Sequence, residues 1–130
     1  MGAKNILRLL EGAGVSDVTA TTGGGTDGLI PGDATFVTVT SDSVNKQISL
    51  PAGFVGQVIM IYVPSTTFGC ELISASAGAK VNTVLVGATN EAALTAGNTY
   101  NCTLVAADTW IVRGFTAAGA DQGALVPDAL

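Results

Sequence analysis

The chain has no histidine, and its five lysines and arginines face ten aspartates and glutamates. Without imidazole, the usual general base and the commonest metal ligand are both missing, so Ser-His-Asp relays and zinc hydrolase centres cannot be built. The cations Lys4, Arg8, Lys46, Lys80 and Arg113 stand singly, and the net charge is −5. Such a chain cannot neutralise a run of phosphates, which excludes nucleic acid as a partner. Charged residues are 12% of the chain, roughly half of what an ordinary soluble domain carries. Long apolar runs are absent too. The longest, residues 58–63, falls far below the ~20 residues that span a bilayer, so no membrane segment is expected. The apolar stretch 6–10 is too short for a secretory signal and is interrupted by Arg8. Ile6 stands where a myristoylation start wants Ser or Thr. The expectation is a soluble protein made in the cytoplasm.

What is present is apolar and small. The 130 residues are 48% hydrophobic with 17 glycines, a length suited to one domain with a self-sufficient core. Low charge with many β-branched residues is not a disordered composition.

The texture of the chain changes along its length. Residues 3–11 place Ile6, Leu7, Leu9 and Leu10 among Lys4, Arg8 and Glu11, a spacing that predicts a short amphipathic helix stopped by Gly12 and Gly14. A helix of two turns is unstable alone and exists only when its apolar side docks on something. Residues 15–34 are dense in turn formers and read as an extended arm, with Leu29 and Ile30 its large apolar residues. On that reading, residues 1–34 could be removed with the core left folded.

Residues 35–116 carry seven runs rich in Val, Ile, Thr and aromatics: 35–40, 47–50, 57–63, 69–74, 81–86, 99–105 and 109–115. Turn clusters separate them, the signature of an all-β fold: an antiparallel β-sandwich or barrel, jelly-roll-like, of about seven short strands. Run 57–63 is nearly all large and apolar, so it is expected to be covered on both faces; run 35–40 alternates and is expected to be half exposed. Runs 99–105 and 109–115 form the clearest hairpin. Arg113 then falls on an apolar side, at an edge or subunit contact, and needs a carboxylate or carbonyl partner. The tail 117–130, with Val126 before Pro127, reads as extended along the surface or across a neighbour.

Candidate chemistry is sparse. The Gly23-Gly24-Gly25-Thr26-Asp27-Gly28 stretch lacks the Gly-Lys-Ser/Thr of a phosphate loop and reads as a flexible turn region. Asp27, Asp33 and Asp42 do not match a calcium loop in spacing, and each adjoins Gly or Ser as turn-forming carboxylates do. Cys70 and Cys102 read as buried thiols rather than a bridge or a nucleophile, for want of an activating base. Asn101-Cys102-Thr103 matches a glycosylation sequon by chance within a strand. Glu71, Glu91 and Asp108 could supply a glycosidase pair, but aromatics are only 5% and scattered, unlike a sugar cleft. The aromatics suit core and interface anchors better. No enzyme, cofactor or metal is expected.

The stretches ISLPAG (48–53), GQVIMIYV (56–63) and AGNTYNCTLVAADTWIVRGFTAAGA (96–120) resemble small β-structured virion proteins of tailed bacteriophages, of the marine and cyanobacterial type. The resemblance is one of texture over about two-thirds of the chain and is nearest to capsid decoration, or cement, proteins. It implies a homo-oligomer, as a trimer, on the capsid surface, bound between subunits of the major capsid protein and stabilising the head. The alternative is a tail- or head-fibre module that binds a host receptor or glycan. The residues expected at subunit or capsid contacts are Ile6, Leu9, Leu10, Leu29, Ile30, Arg113 and Val126.

Overall fold

A computed structural model describes residues 14–22, 27–87 and 90–129. Their secondary structure is all β. Twelve strands run in chain order: β1 (Val15–Thr19), β2 (Phe36–Thr40), β3 (Gln47–Leu50), β4 (Val58–Tyr62), β5 (Cys70–Ser74), β6 (Lys80–Val81), β7 (Val84–Leu85), β8 (Asn90–Leu94), β9 (Thr99–Ala106), β10 (Thr109–Phe115), β11 (Asp121–Ala124) and β12 (Asp128–Ala129).

They form two sheets. The larger has eight strands in the order β1-β2-β4-β9-β10-β6-β7, with β11 also on β10; the smaller has four, β12-β8-β5-β3. One buried cluster draws on both sheets, with Trp110, Ile59, Ile61 and Val37 from the larger and Ile48, Leu50 and Leu72 from the smaller. The arrangement is consistent with a β-sandwich. Each such side chain contributes about 1.5–3 kcal/mol by leaving water, so this shared layer holds the sheets together.

The pairing is mixed rather than antiparallel. β1 with β2, β2 with β4, β3 with β5 and β6 with β10 are all parallel, which a wholly antiparallel jelly roll does not contain. Residues 20–21 and 29–30 supply part of the reason. The chain leaves β1 with Ala20 N–H donating to Thr40 O at 2.8 Å, then crosses to the small sheet, where Thr21 and Gln47 exchange backbone bonds of 3.0 and 2.8 Å. Farther on, Ile30 N–H donates to Ser49 O at 2.9 Å. This excursion to the small sheet lets the next strand return in the same direction as the last.

Residues 15–34 are thus not an arm. Val18, Ala20, Ile30 and Ala34 belong to the core, and a cut at residue 34 would remove them and a whole strand. The tail adds β11 and β12 to the two sheets. The predicted helix at 3–11 lies outside the described residues.

All seven runs contain strand, with one division. Run 81–86 folds back on itself between β6 and β7 through Asn82 (φ 49°) and Thr83 (φ 75°), a left-handed pair of the kind that tight hairpins require. In β2, Val37 and Val39 are buried and Thr40 is exposed, as alternation predicts. In β4 only Ile59 and Ile61 are buried, so this strand is covered on one face and not on both. The β9–β10 hairpin is present, with Val112 opposite Cys102 and Arg113 opposite Asn101.

Candidate contact surface

The loop between β3 and β4 is built on one buried side chain. Gln57, 3% exposed, donates from Nε2 to the carbonyls of Gly32 at 3.0 Å and Ala34 at 3.1 Å, while its Oε1 accepts from Phe54 N–H at 3.3 Å. Gly53 has a φ of +67°, and a Cβ there would stand 2.6 Å from Gln57 Oε1, so only glycine lets the loop pass this close. Gly56 N–H donates to Leu104 O at 2.7 Å, and Leu104 N–H to Gln57 O at 3.0 Å, tying the loop to β9.

The consequence is a pair of apolar side chains held out from the fold. Phe54 is 61% exposed and Val55 62%. Around the same end of β9 lie further exposed apolar groups: Val58 and Ile111, each paired across strands with Thr103, and Val105 two residues on. A rigid backbone that presents clustered apolar groups has the character of a protein contact surface.

A concavity of about 400 Å³ lies at the start of β5, lined by Val44, Phe68, Glu71, Ala93 and Ala96 among others. Thr67 fixes it by accepting from Ser41 N–H at 2.7 Å and donating from its hydroxyl to Ser41 O at 2.6 Å.

The charged groups form ion pairs and an acidic row. Lys46 pairs with Asp42 at 2.7 Å and holds that carboxyl below its usual range. Arg113 finds the carboxylate it needs in Asp121, on β11 beside its own strand. On the small sheet Glu91 stands opposite Asp128, and Gln47 Nε2 donates to Glu91 Oε2 at 2.7 Å. Burial, then Glu91, then Asp128 push the Glu71 carboxyl up to about 7. Asp108 sits apart from these acids, in the β9–β10 turn of the other sheet. Among the described residues no group of three or more His, Cys, Asp or Glu is placed to hold a metal ion. Asp27 accepts from the Thr21 hydroxyl at 3.0 Å, within the turn chemistry expected of it. Cys70 and Cys102 are free and buried, and burial pushes both thiols up to about 12.

The residues expected from sequence at contacts are scattered. Leu29 is half exposed and Val126 is 68% exposed, whereas Ile30 has no exposed surface and serves its own core. Ile6, Leu9 and Leu10, like Gly23 to Thr26, lie outside the described residues. Phe54 is one of the aromatics read from sequence as core or interface anchors, but neither it nor Val55 was singled out as a contact, since periodicity reports strands and they sit in a turn; the further signal available was two large apolar residues beside Gly53 and Gly56. No described helix is long and apolar enough to cross a membrane. No protein family, no curated protein and no solved structure matches the chain.

Proposed function

We propose that the chain is a structural virion protein, a capsid decoration protein of a tailed bacteriophage that binds as a homotrimer between major capsid subunits and stabilises the head. The observation that carries this reading is the rigidly mounted apolar end, Phe54 and Val55 with Val58, Val105 and Ile111. A low charge and a chain woven through two sheets suit a part that is covered by neighbours. Repeated weak contacts on a lattice then add up through avidity. The virion setting itself rests on the resemblance of residues 48–63 and 96–120.

The test is binding to purified heads. The Phe54→Asp, Val55→Asp double variant changes only exposed side chains, so it is expected to keep the fold and to stop co-sedimenting with heads. Electron microscopy of intact particles is expected to show hundreds of copies on the head. Undiminished binding of the double variant, or a few copies at the tail, would overturn the reading, the latter in favour of a fibre module.

A further inference from the structure

Among the described residues, most large apolar side chains that stay exposed stand at two opposite ends of the molecule. One group is the Phe54 end. The other lies where β9 begins: Val44 is 53% exposed and Phe68 57%, and both line the concavity of about 400 Å³. β9 connects the two places. Near its far end Leu104 bonds to Gly56 and Gln57 of the Phe54 loop; just before its start Asn98 O accepts from Val63 N–H at 3.0 Å, close in the chain to Ala96 of the concavity. The eight residues of the strand span about 24 Å, so a chain cannot bring its own two ends together.

The ends are opposite in shape, and both are held rigid. The Phe54 loop is convex, pinned by the buried Gln57 and by the left-handed Gly53. The other end is hollow because small residues, Gly69, Ala93 and Ala96, form its walls. At Gly69 a Cβ would run into Leu94 O, so no larger residue fills the space from there. Phe68 is fixed at the rim by its N–H, which donates to Ser41 O at 3.1 Å. A hollow of about 400 Å³ has room for an aromatic side chain with its neighbour. Glu71 is the one charged residue lining it, and residues 51–56 carry no charge to repel it. A rigid aromatic seated in a preformed apolar hollow is the arrangement in which contact energy concentrates.

We propose that Phe54 and Val55 of one copy of the chain seat, head to tail, in the hollow beside Val44 and Phe68 of a second copy. Each copy then keeps one free knob and one free hollow, so the contact repeats, and it closes into a ring where the rotation between copies allows. This names the partner of the Phe54 end and rests on the reading of that end as a contact surface. A ring of three is the form the proposed function calls for; the contact itself does not depend on a virion.

Sedimentation velocity of the purified full chain tests it in the absence of heads. At about 100 μM, where a contact of micromolar strength is saturated, the wild type is expected to sediment as an oligomer. Phe54→Asp spoils the knob and leaves the hollow; Ala93→Arg fills the hollow, beside Glu71, and leaves the knob. Both residues are exposed, so each variant is expected to keep the wild-type circular dichroism spectrum and to be monomeric. Mixed one to one, the two variants have a single intact contact between them and are expected to give a heterodimer and nothing larger. Val55→Asp and Phe68→Asp are expected to repeat the result from neighbouring positions. A mixture that stays monomeric, or an oligomer that survives these substitutions, would overturn the proposal. So would a monomeric wild type; if that monomer still co-sediments with heads, Phe54 belongs to the capsid contact and the proposed function stands without this interface.

Discussion

Asn82 stands in for a missing stretch of backbone beside Val112. Its Nδ2 donates to Val112 O at 2.8 Å and to Leu125 O at 2.7 Å, and its Oδ1 accepts from Val112 N–H at 3.1 Å. The outer edge of β10 is occupied by β6 at Thr109 and Trp110 and by β11 from Arg113 to Phe115. Val112 falls between them, where its carbonyl accepts from Leu125 N–H at 3.0 Å and the Asn82 amide supplies the other bonds.

Replacing Asn82 by glycine keeps the left-handed backbone and removes the amide. Each lost buried bond costs about 1 kcal/mol, and Asn82→Gly is expected to destabilise by about 2–3 kcal/mol in urea unfolding. Asn82→Ala is expected to cost more, since alanine resists a positive φ. Equal stability of wild type and Asn82→Gly would show that the edge closes without the side chain.

Gln57 is expected to respond more sharply to loss of polarity than of size. Gln57→Leu leaves the buried carbonyl of Ala34 without the amide that satisfies it, while that of the exposed Gly32 can turn to water, a penalty of about 1–3 kcal/mol for the group left unpaired in the interior. The loop carrying Phe54 is expected to loosen with it, visible as faster hydrogen exchange at Gly56 and Leu104. Unchanged exchange there would mean that the backbone bonds suffice to hold the loop.

Stability is expected to fall as pH rises through the range set by Glu71. Its carboxyl titrates near 4.5 when unfolded and at about 7 when folded, so the folded chain holds the extra proton between those values. The contribution is complete below pH 4.5, shrinks as pH rises and is gone above about 7. With partial exposure discounted, it amounts to about 1 kcal/mol. The difference in unfolding free energy between wild type and Glu71→Gln, measured at pH 4 to 8, is expected to follow this fall. A difference that stays flat across the range would refute the assignment.

Cys70 and Cys102 are expected to be silent toward Ellman's reagent at pH 8 in the folded protein and to react fully in guanidinium. Burial without a cationic neighbour keeps both protonated and out of reach. Rapid reaction of either thiol under native conditions would contradict the packing described.

Most of the β core was legible because its strands advertise themselves. Runs such as residues 57–63 and 109–115 combine β-branched and aromatic residues with flanking turns, and these become β4 and β10. β8 and β11 were hidden because Asn90–Leu94 and Asp121–Ala124 hold residues of poor strand propensity, extended here by the neighbours they pair with. β1 was hidden differently: Val15 and Val18 are three apart, which breaks the period of two, and one of them faces outward. Pairing direction is not a local property at all. It follows from Thr21 and Ile30 bonding to the small sheet after β1 has paired in the large one, with Ile30 in the core.

The divided edge of β10 also bears on how the chain comes together in time. Its upper half pairs with residues 80–82, which precede it in the chain, and its lower half with residues 121–125, which follow it. During synthesis β10 therefore stands with an incomplete edge until residues 121–125 have left the ribosome. Closure of that seam is a late but local event, a turn that brings Asp121 back to Phe115, whereas the pairing of Thr109 with Lys80 on the same edge is the distant contact that slows folding.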